Sequence, residues 1–404
     1  MRKMTKRARI LAGCLALLAA APIPAAAAKV QQDSARSVKP DATSKPDATS
    51  EMEQETEIID SLENTDARHF YPRLTLHGDY RFLYGKGRFY ASVPDRNGTL
   101  RRTDQAVFRA ERRLRLFPFV ETSANTSIRT MLEDKRDSKD ESRNKHLTLS
   151  RLYLQHENSH TKIEVGRFNY YLMDGSIIDK RIDGLRFRTG DADRPQGSLT
   201  VFVGRTTGEP DEQKDGISVL WKKALGKLDA SAVYLDFRQR QDLPASEPRL
   251  RALGLPAGRI GQGFDRQRIA SLAAKYHPTS KWQLGLELLQ ADGRHYADAY
   301  REREGGFVAL VQYGELDERK AGSFASWLRY YDQPSASVLY PTMDADAGFF
   351  RREGFRGWGA RTDYVITPGL VCAVEGFRLE NRSKGAQLRA MHEYILGTSV
   401  TAYF

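Results

Sequence analysis

The sequence has little cysteine and, beyond its first residues, no long hydrophobic run. It contains two cysteines. Cys14 lies in a segment that we expect to be removed, so Cys372 is left alone and no intramolecular disulfide can form. A membrane-spanning helix needs about 18 apolar residues in a row, and no such run follows the first segment. The motifs G-x-S-x-G and H-E-x-x-H and a phosphate-binding glycine loop are also missing, so the sequence argues for no enzyme and no cofactor.

The chain begins with the pattern of a secretory signal peptide. Basic residues from Arg2 to Arg9 precede an apolar run at 10–18, and Ala28 satisfies the small-residue rule for cleavage. The run is too short and too weakly hydrophobic for a membrane anchor. A lipoprotein-type box ending at Cys14 follows the basic residues too closely to be preceded by an apolar region. We therefore predict a signal peptide at residues 1–28 and export from the cytoplasm.

Composition leaves two classes of exported protein. Charged residues make up 28% of the chain and apolar residues 40%, so the polypeptide is polar for its length. A soluble all-β protein fits these values. A transmembrane β-barrel fits them too, because its outward apolar residues alternate with polar residues of the lumen.

The basic excess lies in the body of the chain. Residues 1–68 contain equal numbers of basic and acidic residues, so the net charge of +11 belongs to the remainder. Nucleic acid does not fit as a partner of an exported protein. Lipopolysaccharide phosphates, or anionic solutes that pass through a basic channel, fit better.

Residues 29–70 have the composition of a linker. The hexapeptide KPDATS occurs twice in tandem at 39–50, which is typical of a solvated segment. Residues 51–64 are acidic with spaced apolar residues and predict a short amphipathic helix. We therefore divide the chain into the signal peptide, this linker and a barrel at residues 71–404.

From residue 71 onward, segments of about ten residues alternate in polarity and are separated by turn-rich stretches, as a transmembrane barrel requires. An even number suits an antiparallel barrel whose two ends meet on one side. We predict an all-β fold, an antiparallel transmembrane β-barrel of about 16 strands within a range of roughly 14 to 18. The strands lie near residues 73–84, 106–117, 126–134, 146–156, 161–169, 184–190, 197–206, 215–224, 228–238, 267–277, 281–290, 305–314, 322–332, 356–367, 370–380 and 390–404.

The connections between these segments alternate in length. Long ones occur at Gly85–Gln105, Asn169–Asp183 and Gln239–Asp265, and tight ones at Leu225–Lys227 and Thr367–Gly369. Short periplasmic turns and long extracellular loops are typical of an outer-membrane barrel. A soluble sandwich or propeller has no reason to keep this alternation.

The polarity pattern also assigns side chains to a face, because the lipid face must avoid charge. In the first strand, Leu74 and Phe82 point outward, while Asp79 and Arg81 point inward. In the second strand, arginines and a glutamate alternate with apolar residues, and the one violation is Arg112 on the apolar side.

Four segments and the last residue carry a family resemblance. They are Arg73–Tyr84 (RLTLHGDYRFLY), Phe108–Leu116 (FRAERRLRL), Leu149–Gln155 (LSRLYLQ), Ile163–Phe168 (IEVGRF) and Phe404. The first looks like a porin first strand, and the next three are similar to phosphate-selective and related porins. With their order and spacing, residues 71–404 resemble the sixteen-stranded porins of Gram-negative outer membranes.

This resemblance implies a homotrimeric, passive channel for small hydrophilic solutes, in which the third long loop folds inward and narrows the pore. It also implies that the barrel-assembly machinery recognises Phe404 as an assembly signal and that outer-membrane lipid and lipopolysaccharide surround the barrel. Candidate constriction residues on the third loop are Asp174, Asp179, Lys180, Arg181 and Asp183. Candidate pore-wall residues at inward phase are Arg109, Arg113, Arg115, Arg129, Arg151, Arg186 and Arg188.

Several alternatives stay open at this point. The wall arginines either select anions or only solvate the lumen and pair across strands, and Arg151 is the weakest candidate because its strand has leucines at both phases. The third loop either folds inward or is an ordinary surface loop. His156 and His160 straddle a predicted turn, where their spacing predicts no metal site.

Two other functions compete with the channel. An outer-membrane barrel hydrolase requires a catalytic Ser and His, or an acidic pair, on its outer rim. A structural or adhesive barrel would use residues 29–64 to contact the cell wall or a periplasmic partner.

Overall fold

The computed structural model describes residues 71–94, 99–137, 145–207, 213–239, 264–295, 301–337, 339, 354–382 and 390–404. The signal peptide predicted at 1–28 and the linker predicted at 29–70 lie outside the described residues.

Sixteen antiparallel strands form one closed barrel, in which each strand pairs with its neighbours in the chain and β1 pairs with β16. This confirms the predicted all-β barrel and its strand number. The strands are β1 (Arg73–Pro94), β2 (Leu100–Ser123), β3 (Thr126–Asp137), β4 (Lys145–Glu157), β5 (Thr161–Leu172), β6 (Ile178–Gly190), β7 (Ser198–Thr206), β8 (Lys214–Leu225), β9 (Leu228–Gln239), β10 (Phe264–Thr279), β11 (Trp282–His295), β12 (Arg301–Glu315), β13 (Phe324–Gln333), β14 (Phe355–Thr367), β15 (Leu370–Asn381) and β16 (Ala390–Tyr403).

The hairpin of β1 and β2 is longer than the sequence pattern predicts. Most of the expected loop at Gly85–Gln105 is strand, and pairing continues up to Pro94 opposite Leu100. Backbone hydrogen bonds hold two strands together without an apolar face. Beyond the level of the lipid the outer face needs no apolar residues, so the alternation that marks a strand in the sequence ends before the strand does.

The two ends of the barrel differ as predicted. Ser123 to Thr126 and Leu225 to Leu228 are tight turns at one end, which we call the turn end. Gln239 and Phe264, which a long stretch of sequence separates, lie at the other end, which we call the loop end. The barrel also closes at the turn end. The Phe404 amide donates to the Gly78 carbonyl (2.9 Å), and the Gly78 amide donates to the Phe404 carbonyl (2.7 Å).

The outer face carries an apolar band between two groups of aromatic residues. Aliphatic side chains such as Leu286 and Val374 are about half exposed on it. Exposed aromatic residues nearer the turn end include Tyr276, Trp282, Phe324 and Tyr364, and those nearer the loop end include Tyr84, Tyr234, Trp358 and Tyr394. This is the exterior that a barrel in lipid requires. Within the described residues, no helix has the length and hydrophobicity of a membrane-crossing helix.

Glu318 is a buried acid in the turn between β12 and β13, where only 9% of the residue is exposed. Its carbonyl oxygen accepts a hydrogen bond from the Gly369 amide (2.9 Å) in the turn between β14 and β15. Burial, together with the nearby carboxylates of Asp317 and Asp363, raises the pKa of Glu318 to about 7. The ionised form is therefore disfavoured at a place where two turns meet.

We expect this turn to make barrel stability depend on pH. The folded pKa of Glu318 lies above the ordinary value of 4.5, so its contribution to stability is complete below pH 4.5 and is lost as the pH rises through about 7. Urea unfolding of the purified barrel in detergent should show a higher midpoint at pH 5 than at pH 8. In Glu318→Gln this difference should shrink, and an unchanged difference would contradict the assignment.

Candidate functional site

The β5–β6 hairpin leaves the barrel wall and enters the lumen. On one side, β4 pairs with β5 only as far as Arg167, and on the other side β6 pairs with β7 only from Ile182 onward. Beyond these points the two strands pair only with each other, up to Leu172 opposite Ile178. We call residues 168–182 the lumen hairpin.

On the inner face of β5 to β8, a row of glycines leaves room for the aromatic rings on which the lumen hairpin packs. The row runs in register across β5 to β8 and consists of Gly166, Gly184, Gly204 and Gly216. A Cβ at Gly204 would lie 2.2 Å from the Asp183 carbonyl oxygen and 2.7 Å from the Phe202 ring. The ring of Phe202 therefore lies over Gly184 and Gly204, where a Cβ would collide with it.

One face of the lumen hairpin packs on these rings. The ring centroids of Phe168 and Tyr170 lie 6.1 Å and 4.7 Å from that of Phe202, which stacks on Phe237 at 6.3 Å. The same buried cluster contains residues of the hairpin and of the wall from β9 to β11, namely Leu172, Ile177, Ile178, Ile182, Leu235, Ile269 and Leu289. Because full burial of one such side chain contributes roughly 1.5–3 kcal/mol, this packing holds the hairpin against that wall.

Polar contacts hold the tip of the lumen hairpin across the lumen. Ser176 Oγ donates to Glu287 Oε2 on β11 (2.6 Å), and the Asp174 carboxylate pairs with Lys275 on β10 (2.9 Å). Arg329 on β13 donates to the Asp174 carbonyl oxygen (2.9 Å). The tip therefore contacts strands on the far side of the barrel from β5 and β6.

The other face of the lumen hairpin is polar. Asn169, Tyr171, Asp179 and Arg181 alternate with the apolar face and pair with one another across the hairpin. Asn169 Nδ2 donates to Asp179 Oδ1 (2.9 Å). Arg181 donates to Glu133 Oε2 on β3 (3.1 Å) and also to Ser150 on β4. This face is therefore turned toward β3 and β4, which with β1 and β2 form one side of the wall.

The predicted constriction residues divide into two groups. Asp174, Asp179, Lys180 and Arg181 belong to the lumen hairpin. Asp183 does not, because it shares the outward phase of Leu185 and forms a two-pronged ion pair with Arg167 (2.7 Å and 2.9 Å). Both side chains of that pair are over 40% exposed. The prediction that Asp183 lies in the constriction is therefore wrong, since β6 has already rejoined the wall at Ile182.

A buried ion pair joins β1 and β2 on the inner wall, in register with Glu133 of β3. Arg115 Nε donates to Asp79 Oδ2 (2.8 Å), and each side chain is only 1% exposed. Arg113 approaches the other carboxylate oxygen of Asp79 at 3.9 Å and is 16% exposed. Arg81, on the same inward phase of β1, is also buried.

The remaining predicted wall arginines lie at the inward phase of their strands. Arg129 lies over the Phe119 ring (4.6 Å), Arg151 is buried, and Arg109 is opposite Gly85. Arg186 and Arg188 are nearer the turn end. Arg186 binds Glu164 (2.6 Å through Nη2), and Arg188 binds Glu157 (2.9 Å). These carboxylates balance part of the basic charge.

Sequence reasoning missed the groups that fasten the hairpin. Arg81 was assigned to the inner face but not to the pore wall, although its phase could have placed it there. Glu133, Lys275, Glu287 and Arg329 meet the hairpin from strands far away in the sequence. Strand phase predicts Glu133 and Glu287 on the inner face, but no local pattern marks any of the four as a contact of the hairpin. Their role depends on where the hairpin tip ends.

The two histidines of the H-x-x-x-H pattern do not come together. His156 Nδ1 contacts Thr126 Oγ1 (2.9 Å), whereas His160 Nδ1 contacts the neighbouring Ser159 hydroxyl (2.5 Å). Over the described ranges, no group of three His, Cys, Asp or Glu side chains is arranged to hold a metal ion.

The barrel is similar to solved outer-membrane proteins. With OmpF of Salmonella typhi in complex with daunomycin it has a TM-score of 0.50 at 12% sequence identity, over 82% of this chain and 98% of that one. With a loop-deletion mutant of OmpT, an outer membrane protein of Vibrio cholerae, the TM-score is 0.48 at 11% identity, over 82% and 99% of the two chains. With a triple mutant of the Rhodopseudomonas blastica porin it is 0.44 at 13% identity, over 82% and 100%.

The likeness to OmpF shows the fold, a sixteen-stranded barrel of the porin type. The sequence matches no protein-family model and no curated protein.

Proposed function

We propose that this protein is a porin of the bacterial outer membrane, a passive, water-filled channel for small hydrophilic solutes with a preference for anions. The observation that carries the proposal is the lumen hairpin, which crosses the barrel interior and turns a polar face toward the arginine-rich wall of β1 to β4. A segment in that position narrows the path through the barrel, and the groups on either side of it decide which solutes pass.

The charge on the two sides of this path supports anion preference. The inner wall of β1 to β4 carries more arginines than carboxylates. Its arginines include Arg81, Arg109, Arg113, Arg115, Arg129 and Arg151, and its carboxylates include Asp79, Glu111 and Glu133. A narrow path with low-dielectric walls concentrates ions of opposite sign. On the hairpin, Lys275 offsets the charge of Asp174. Asp179 accepts a hydrogen bond from the neutral Asn169 amide and keeps its negative charge, so it reduces the basic excess along the path without cancelling it.

The partners of the proposed channel follow from its surface. The apolar outer band calls for outer-membrane lipid, with lipopolysaccharide at the loop end, and the family resemblance favours a homotrimer. Phe404 is 64% exposed at the turn end, where the barrel-assembly machinery can reach it as an assembly signal. Small solutes are the cargo.

A hydrolase and an adhesive barrel are weaker proposals. A hydrolase would place its catalytic groups on the rim, whereas the interactions described above concentrate polar groups inside the barrel. An adhesive role would depend on residues 29–64, which lie outside the described residues.

Reversal potentials in planar bilayers test the anion preference. Purified protein under a potassium chloride gradient should give a potential that corresponds to faster chloride than potassium permeation. In Arg113→Gln/Arg129→Gln the chloride-to-potassium permeability ratio should fall by about twofold or more, because two positive charges of the inner wall are removed. Arg319→Gln, in the turn between β12 and β13, is the control and should leave the ratio unchanged. A cation-selective wild type, or a barrel without conductance, would refute the proposal.

A further inference from the structure

A groove of about 860 Å³ lies on the outer face of the barrel, where β14, β15, β16 and β1 meet. Its floor is low because Ala360, Gly376 and Leu396 follow one another across three strands, and the first two have little or no side chain. The side chains of Trp358 and Tyr394 project from the barrel surface and line the groove on its side toward the loop end. The groove is thus an apolar depression within the outer band, next to the aromatic residues that border it.

Basic side chains border the groove at the level of its floor and toward the loop end. They are Lys86, Arg88 and Arg378, and the His392 ring lies beside them. Arg378 lies over the Tyr394 ring (5.5 Å), which fixes its guanidinium beside the groove. Lys86 lies opposite Leu396 and Arg88 opposite Tyr394 on the neighbouring strand, so the basic groups border the groove from two sides.

Carboxylates neutralise only part of this charge. Asp104 lies 3.9 Å from Arg88, with both side chains more than half exposed, and Glu380 lies 3.7 Å from His392. In the part of the chain that the structure describes, neither Lys86 nor Arg378 forms an ion pair with a carboxylate. An apolar groove bordered by two such cations is complementary to an amphiphile that carries a negative charge.

We propose that this groove is a binding site for a phosphorylated lipid of the outer leaflet. An acyl chain lies along Ala360, Gly376 and Leu396, and a phosphate is held between Lys86 and Arg378. Long basic side chains extend from an apolar surface toward a polar headgroup, and charge-assisted hydrogen bonds to phosphate are strong. The inference rests on the proposed membrane location, and it specifies which face of the barrel the lipid occupies.

Native mass spectrometry of the full barrel in detergent tests the site, with bisphosphorylated lipid A as the probe. Lipid A should remain bound to the wild type, and its affinity should fall by about tenfold in Lys86→Gln/Arg378→Gln because two charge-assisted contacts are lost. Arg303→Gln is the matched control, an exposed arginine near the same end of β12, and should bind as the wild type does.

A second variant tests the groove itself. Gly376→Leu fills the depression, and a Cβ there meets only Ile395 O and Leu396 Cδ1, both at 3.6 Å, so the barrel should fold normally and bind lipid A weakly. Undiminished binding in both variants, or equal binding of dephosphorylated lipid A to the wild type, would overturn the proposal. So would dissociation of an oligomer in Gly376→Leu without loss of lipid, because the groove would then be an interface between copies of this chain.

Channel recordings separate this inference from the proposed function. The conductance of the double variant should equal that of the wild type, since both residues lie on the outer face. A wild type that retains lipid A but does not conduct refutes the channel alone, whereas a conducting wild type with no retained lipid A refutes the groove alone.

Discussion

A variant in which a short Gly-Ser linker replaces residues 170–180 is expected to conduct about twofold more current per channel or better, because pore cross-section limits conduction. In the wild type, Asp174 and Ser176 at the tip contact Lys275 and Glu287 on the far wall. The deletion removes this tip. It leaves the strands that form the wall intact. Single-channel recordings in planar bilayers measure the change.

The controls for this deletion concern folding. A folded variant should keep the heat-dependent gel mobility of a closed barrel. The deletion exposes the rings of Phe202 and Phe237, which can prevent folding. In that case Asp174→Ala/Ser176→Ala is the second variant, because it removes two contacts of the tip and keeps the apolar face of the hairpin on these rings. That variant should show frequent transitions between conductance levels. A folded deletion variant with unchanged conductance would mean that the hairpin does not limit the pore.

Arg115→Leu is expected to lower the free energy of unfolding by about 3 kcal/mol, close to the cost of removing one partner of a buried ion pair, because Arg113 at 3.9 Å from Asp79 compensates for the lost contact only in part. Arg115 and Asp79 are each 1% exposed and 2.8 Å apart, so water cannot take the place of the lost guanidinium. Asp79→Leu should cost a similar amount. Urea unfolding in detergent, followed by tryptophan fluorescence, measures both changes.

The double variant Asp79→Leu/Arg115→Leu decides whether the pair is coupled. It should recover most of the stability that either single substitution loses, because no buried charge is left alone. Arg113→Leu is the matched control and should cost less, since Arg113 lies 3.9 Å from Asp79 and is more exposed. Additive losses in the double variant would show that the two side chains do not stabilise each other.

Sequence pattern was sufficient for the barrel because its evidence is local. An outward apolar residue alternates with an inward polar one at every second position, and this alternation located all sixteen strands. The same phase placed Arg115 inside and Arg112 outside. It failed at the loop end of β1 and β2, where the outer face no longer meets lipid and the alternation disappears although the backbone pairing continues.

The candidate site was only partly predictable. Phase placed the wall arginines on the inner face, and the family resemblance pointed to the third loop. Neither told which residues belong to the hairpin, so Asp183 was assigned to the constriction although it pairs with Arg167 on the outer face. Neither showed that the hairpin has one apolar and one polar face.

By itself, the sequence determined that this chain forms a closed barrel with an apolar exterior and a charged interior, because strand phase depends on adjacent residues alone. Only the tertiary structure decided where β5 and β6 leave the wall. That point depends on Phe202 and Phe237 lying over a row of glycines and on Lys275 and Glu287 meeting the tip. These groups are distant in sequence, and only the folded barrel brings them together.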